Sequence, residues 1–454
     1  MNYKIILPKD VKYIIETIEN AGFEAYAVGG CVRDSLLGRT PSDWDITTSA
    51  KPQEVKGLFR RTVDTGIQHG TVTVMLKENA YEITTYRIDG EYEDSRHPKK
   101  VEFTPNLRED LARRDFTINA MAYNERSGLV DEFGGAEDLA LKSVRAVGMA
   151  EERFNEDALR IFRAFRFAAV LNFEIEENTL SAARKLAESL EKISAERINI
   201  ELTKLITSDN PDYILKLYEN GITAVIMPEF DRCMQTEQNN PHHCYNVGLH
   251  TAFAMKAVDR EKICSSDDFR ILRLAVLMHD FGKPDTKKTD ENGIDHFYGH
   301  DEKGAEIAGK ILRRLKSDNN TIDKVKRLIR WHDARPELSE KSVRRMVNKA
   351  GTDIFPLLLT MHRADIAAQS DYKRDEKIER ENRIEGIYRD IIKRGDCISL
   401  KNLAVNGGDL IAVGMKPGKE LGETLNKLLE LVLEDPSCNK KEILLEKVKD
   451  MQGL

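Results

Sequence analysis

Two carboxylates stand one residue apart in the stretch Ser42-Asp43-Trp44-Asp45-Ile46-Thr47-Thr48. Read as an extended strand, it sends Asp43 and Asp45 to one face, with Trp44 and Ile46 on the other, toward a core. Like charges held about 7 Å apart repel each other, and a divalent cation shared between them would remove that cost. Upstream, Val28-Gly29-Gly30-Cys31-Val32-Arg33-Asp34 sets a glycine pair at a strand-to-helix turn, where a ligand can approach the backbone closely. The following helix would offer free N–H groups and the positive end of its dipole, and Arg33 a charged fork for phosphate oxygens. Alone, the glycines are a tight turn and the acids an exposed loop. In this order Gly30, Arg33, Asp43 and Asp45 describe a triphosphate cradle beside a metal pair.

The elements that must position these groups follow from pattern. Phe23-Glu24-Ala25-Tyr26-Ala27-Val28 reads as a strand, and the segment closed by Gly38 as a short helix. Gly70–Leu76 and Tyr81–Arg87 are further β-rich runs, and Ile88–Phe103 is polar, with Gly and Pro, as in a mobile loop. From about residue 152 the apolar spacing turns to three and four, and Phe154–Leu171, Glu177–Ile193 and Ala195–Thr207 read as helices. Breaks are expected near Met227–Cys233, Glu237–His243, Asp290–His300 and Val405–Gly418. The 454 residues suit several domains, and 41% hydrophobic with 32% charged residues suits a chain with packed cores and a charged surface. No apolar run is long enough to span a bilayer, and the start lacks the pattern of a signal peptide. Six scattered cysteines without a CxxC fit a reducing compartment, so a cytoplasmic protein is expected. A net charge of −7 does not advertise nucleic-acid binding, although a local basic cleft can still hold a phosphate backbone.

The run Val28–Thr48 resembles the signature of the nucleotidyltransferases that include tRNA CCA-adding enzymes and bacterial poly(A) polymerases. The resemblance continues, in order, through His69–Val74, Tyr81–Arg87, Arg113–Asn124, Glu156–Ala168 and Ala195–Leu202. It implies that Asp43 and Asp45 bind Mg²⁺, one ion activating the RNA 3′-hydroxyl and the other steadying pyrophosphate. Glu82 stands where the superfamily often has a third carboxylate, and an ordinary sheet-surface acid is the competing reading. Arg114 is expected on the triphosphate or ribose, with Asp115 and Asn119 fixing the loop, reading a sugar hydroxyl or, for Asp115, pairing with an arginine. His69 has no evident partner and is read as structural.

Asp157, Arg160, Arg163 and Arg166 recur every three residues, a slowly rotating stripe on one helix. On a base's Watson–Crick edge a carboxylate accepts from an amino group and a guanidinium donates to an unprotonated ring nitrogen. Cytosine and adenine satisfy both contacts. Guanine and uracil present a carbonyl and a ring N–H instead, leaving both groups badly paired. The resemblance assigns this selection to Glu156, Asp157 and Arg160, with Arg163 and Arg166 on the triphosphate. It also associates the loop Asp89–Phe103 with switching from C to A.

A second constellation lies downstream. His250, His279-Asp280, His300, His332 and Asp365 follow the order of an HD phosphohydrolase domain. His250, His279, Asp280 and Asp365 would hold one divalent transition metal, and His300 and His332 would assist a second. A scaffold that keeps these ligands with little turnover is the competing reading, and His242 and His243 are read as structural or exposed. The expected fold is α+β: a nucleotidyltransferase head with a small mixed sheet (1–147), a helical neck (148–215), a helical body holding the HD pattern (216–375, HD about 246–370) and a helical, tRNA-binding tail (376–454). The expected activity is template-independent CCA addition to tRNA from CTP and ATP, with Mg²⁺, no membrane and an open oligomeric state. The alternatives are a poly(A) polymerase, and a phosphohydrolase or RNA-binding protein with an inactive head.

Overall fold

The computed structural model describes residues 4–89 and 101–452. The chain divides into two compact units, Met1–Pro228 and Glu229–Leu454. Most of the loop expected to switch base preference lies outside the described residues. Its flanks, Arg87–Asp89 and Val101–Phe103, pair as antiparallel strands, where the sequence suggested open loop.

In the first unit, helix α1 (Lys9–Asn20) buries Val11, Ile14, Ile15 and Ile18, the one-face spacing of an amphipathic helix, and α2 (Gly30–Leu36) follows the glycine turn. The sheet comprises β1 (Ala25–Val28), β2 (Ile46–Thr48), β3 (Thr62–Gly66), β4 (Thr71–Leu76), β5 (Asn79–Thr85), β6 (Met121–Asn124) and β7 (Gly128–Asp131). Its order is β3-β4-β5-β2-β1-β6-β7, and only β2 and β5 run parallel. Their parallel register pairs Ile46 with Ile83, so Asp45, just ahead of β2, lies level with Glu82, the middle residue of β5. The strand begins at Ile46, later than expected, with Asp43 to Asp45 outside regular secondary structure ahead of it. Trp44 is half-buried, because that irregular lead-in lies outside the core its partner Ile46 enters.

The expected single helix over the Asp157 stripe is two: α3 (Ala150–Glu156) and α4 (Leu159–Leu171). Asp157 takes an extended conformation and its Oδ1 accepts from Leu159 N at 3.1 Å. A short acidic side chain that bonds its own downstream backbone competes with helix continuation. Helix α4 is buried nearly all round, with Phe162, Phe165 and Phe167 in the core. Helix α5 (Ala195–Ile206) packs on it. The neck is not wholly helical, since Ser143–Val144 pairs with Glu174–Ile175.

The second unit is helical. Its site is carried by α6 (Val247–Ala257), α7 (Ser266–Met278), α8 (His300–Arg314), α9 (Asn319–Trp331), α10 (Phe355–Ala367) and α11 (Arg374–Arg394). Two expected breaks are helical instead. Pro228–Met234 starts with proline, tolerated in a first turn, and Gly407–Ala412 is capped by Asn406 and Asp409. Among the described residues no helix is long and apolar enough to cross a membrane.

Candidate active sites

The start of β2 and the middle of β5 bring three carboxylates into one electrostatic neighbourhood. Burial raises the Asp45 carboxyl, Arg114 pulls it down, and Glu82 and Asp43 push it up again. Glu82 thus belongs to the electrostatic neighbourhood of the pair, as the third-carboxylate reading requires. One guanidinium faces three acids, and that imbalance suits a divalent cation. Gly29 ends β1 at φ +80°, and a Cβ there would lie 2.9 Å from Arg114 NH1, so glycine is what lets this arginine come close. Arg114 Nε is buried without a hydrogen-bond partner, and NH2 lies 3.6 Å from Asp110 Oδ2.

Asp110 had no signal in the sequence. It is fully buried and accepts from Arg113 Nε and NH2 (3.0 and 2.8 Å) and from Thr47 Oγ1 (3.1 Å), which ties the arginine loop to β2. Burial opposes its charge, but Arg113 and Arg114 overcome that and hold the carboxyl below its usual range.

A second polar chain runs from the glycine turn to α4. Arg33 grips Asp34 and donates to Asn119 Oδ1 at 2.7 Å. Asn119 donates to Asp115 Oδ1 at 3.1 Å, and Arg163 donates twice to Asp115 Oδ2, at 2.8 and 2.6 Å. Burial works against the Asp115 charge, yet Arg163 and Asn119 take the carboxyl down to about 2. The ion-pair reading of Asp115 is therefore the one realised, and the guanidinium of Arg163 is committed to it. Arg166 is likewise turned from the expected triphosphate contact. It is 8% exposed, donates to Glu201 Oε2 at 2.7 Å, and lies 3.4 Å over the Phe167 ring. A three-residue step falls short of the 3.6-residue turn, so the stripe rotates by about 60° with each step and its far end enters the core.

At the near end, Asp157 Oδ2 accepts from Arg197 NH2 at 2.7 Å. Arg160, 9% exposed, donates to Glu156 Oε2 (2.5 Å), Arg153 O (3.1 Å) and Arg113 O (2.9 Å). The last bond links α4 to the loop that carries Arg114. Arg197 was missed in sequence: it lies on α5, forty residues from its partner. Gly30 opens the helix Gly30–Leu36 behind these groups. His69 is exposed, and only its carbonyl is engaged, by Arg87.

The second unit brings its predicted residues together. His250, His279 and Asp280 have ligand atoms within 4.8 Å of one another, and so have Asp280, His300 and His332. Asp365 Oδ1 is 2.9 Å from His250 Nε2 and 3.7 Å from His279 Nε2. All four histidines place Nδ1 against a backbone carbonyl, of Ala368, Val276, Phe297 and Ile329 respectively. That fixes Nδ1–H as donor and turns each Nε2 lone pair inward, the orientation of a metal ligand. His300 and His332 then face each other Nε2 to Nε2 at 3.1 Å, an arrangement that needs a cation or a proton between them. Both Asp280 oxygens and His279 Nε2 are buried without a well-formed hydrogen bond, although Lys283 Nζ is 2.7 Å from Oδ2. Burial disfavours charge on His279, but Asp280 and Asp365 lift the imidazole to about 10. His243 is taken down to about 2 by burial and Lys283, and packs on His250 as a structural ring, while His242 is exposed. Lys283, one turn after Asp280, was legible from spacing and was overlooked.

Family comparison matches residues 25–145 to the poly A polymerase head domain, 172–234 to the probable RNA and SrmB-binding site of polymerase A, and 299–448 to tRNA nucleotidyltransferase domain 2. The CCA-adding enzyme of Ligilactobacillus salivarius is 35% identical, over 96% of this chain and 95% of its own. That of Enterococcus faecalis is 34% identical, over 98% and 96%. Among solved structures, the Bacillus stearothermophilus CCA-adding enzyme in complex with CTP superposes with a TM-score of 0.72 at 28% identity, covering 99% of this chain and 100% of the other. The Thermotoga maritima CCA-adding enzyme complexed with tRNA shares the fold, with a TM-score of 0.60 at 24% identity over 99% and 97%.

Proposed function

This chain belongs to the family of CCA-adding enzymes, and from that premise we propose how its own residues add C, C and A to the 3′ end of tRNA from CTP and ATP. It is a nucleotidyltransferase, and family membership over nearly the full chain disfavours both the poly(A) polymerase and the inactive-head readings. The reading of its site rests on one observation: three acids and Arg114 are linked, through the Arg113 carbonyl, to Arg160 of the base-reading helix.

Asp43 and Asp45, with Glu82, are the residues to hold divalent metal, and their mutual repulsion, countered by a single guanidinium, fits that role. When bound, Mg²⁺ neutralises the triphosphate and acidifies the tRNA 3′-hydroxyl. The protein's part is placement. Arg114, free at Nε and admitted by Gly29, reaches the triphosphate, and Gly30 and Arg33 shape its seat. Arg163 and Arg166 hold the floor of that seat through Asp115, Glu201 and Phe167 and leave phosphate contact to Arg114. Asp157 spends one lone pair on Leu159 N and one on Arg197, which leaves others to accept an amino group. Arg160 offers its remaining donors to a ring nitrogen. The pair admits C and A and rejects G and U without a template. The expected test is Asp157→Ala, which should relax base choice more than it raises the KM for CTP; unchanged rejection of GTP and UTP would remove the role.

A second activity rests on the other unit. Four inward-facing Nε2 atoms around two carboxylates form a nitrogen–oxygen donor set suited to a divalent transition metal, and the uncompensated Asp280 oxygens fit it. The ion would polarise a phosphoryl group, while Lys283 and Arg335 orient it. We place this phosphohydrolase centre in a cytoplasmic tRNA-processing enzyme.

A further inference from the structure

Phe167 is buried on α4, and three guanidinium groups converge on its ring. Their central carbons lie 3.4 Å (Arg166), 5.2 Å (Arg33) and 5.4 Å (Arg163) from its centroid, all within the reach of a cation–π contact. Phe116, next to Asp115 in the arginine loop, meets the same ring edge-on, with centroids 5.7 Å apart and planes at 78°. Arg163 and Arg166 belong to the ring's own helix and are engaged by Asp115 and Glu201. Arg33 comes from elsewhere, from α2 on the glycine turn.

A guanidinium carries five N–H donors in its plane. Arg33 uses three of them: Nε and NH2 donate to Asp34 (2.9 and 3.0 Å) and NH1 donates to Asn119 Oδ1 (2.7 Å). Two remain. A Cβ at Gly30 would stand 3.6 Å from Arg33 NH2, and one at Gly29 would stand 2.9 Å from Arg114 NH1. Both guanidinium groups therefore rest against the bare backbone of the glycine pair. Asp34 is the next residue in the chain, so it ties Arg33 only to its own helix. Asn119 and the Phe167 ring tie it to the rest of the site. The ring does so without taking a donor, because its quadrupole attracts the cation as a whole.

We propose that Phe167 is a positioning residue for the triphosphate: its ring holds the Arg33 guanidinium against the glycine pair, so that the two remaining N–H groups serve the phosphates beside Arg114. The proposal rests on the triphosphate seat described above and adds the group that sets it. Since the ring acts at the phosphate end, weakening its attraction should affect CTP and ATP alike and leave base choice untouched. Fluorination drains the negative faces of the ring with little change of shape, which separates electrostatics from packing. Mono-, di- and trifluorinated phenylalanine placed at position 167 of the full-length enzyme, with inorganic tripolyphosphate as competitor of CTP, reads the seat directly. The tripolyphosphate inhibition constant and the KM for CTP and ATP should rise together, about fivefold across the series, with rejection of GTP and UTP unchanged. Arg33→Gln should raise the same constants, and in that background the series should be flat. A flat series with Arg33 present would overturn the proposal. So would a series that persists in full in Arg33→Gln, which assigns the ring to Arg163 and Arg166, or a loss of base discrimination along it, which assigns the ring to Asp157 and Arg160. Unchanged tripolyphosphate affinity in Arg33→Gln would strike the seat itself and the proposal with it, a failure distinct from a flat series with Arg33 in place.

Discussion

Asp45 shows what a single side chain can be asked to do here. Its charge is crowded by Asp43 and Glu82 and eased by Arg114, as the proposed metal-holding role requires. Asp45→Asn should therefore leave the melting temperature unchanged or slightly higher, while C and A transfer falls on the order of a thousandfold. Calorimetry beside a transfer assay separates the two effects; a large loss of stability would mean that the acid is structural. Arg197 is the converse, a positioning residue on the proposed reading, acting through its bond to Asp157. Arg197→Gln should release that carboxylate and raise G and U incorporation about tenfold with little change in the KM for CTP. Proportional loss of all four nucleotides would instead indicate a packing role. Asp43 and Asp45 were legible because identical charges one residue apart are an anomaly that local spacing displays. Arg166 was not, because the acid that claims it, Glu201, lies thirty-five residues away on another helix.

At the scale of elements, the glycine turn and the arginine loop are one device. Gly29→Ala would put a methyl 2.9 Å from Arg114 NH1 at a backbone angle that L-residues avoid. The expected result is a KM for both CTP and ATP raised several-fold, with a stability loss of about 1 kcal/mol. Steady-state kinetics and urea unfolding check it. The Asp115–Arg163 pair joins that loop to α4 and carries a pH signature. Its carboxyl is depressed from 3.8 to about 2, so its contribution is complete above about pH 4 and drains away as pH falls through 2. Asp115→Asn should cost roughly 2 kcal/mol at pH 7 and almost nothing near pH 2. Equal destabilisation at both pH values would contradict this. Strands and amphipathic helices were readable from periods of two and about three and a half. The break at Asp157 was not, because the apolar spacing runs straight through it and only the side-chain bond to Leu159 N reveals the cap.

At the scale of the molecule, the two candidate sites fall in separate compact units, the three acids with Asp157 and Arg160 within Met1–Pro228 and the histidine cluster within Glu229–Leu454. Asp280→Asn should abolish metal-dependent phosphate release and leave nucleotide transfer intact, and Asp45→Asn should do the reverse. The ordered histidines announced the second site in sequence, but their shared tautomer needed coordinates. The most direct measurement is of the product itself. A tRNA lacking its terminal triplet, incubated with CTP alone, ATP alone, and all four nucleoside triphosphates together, and then sequenced, should gain CC, gain no run of A, and end in CCA. A lengthening A tail with ATP alone, or G and U at the new end, would contradict selection by Asp157 and Arg160.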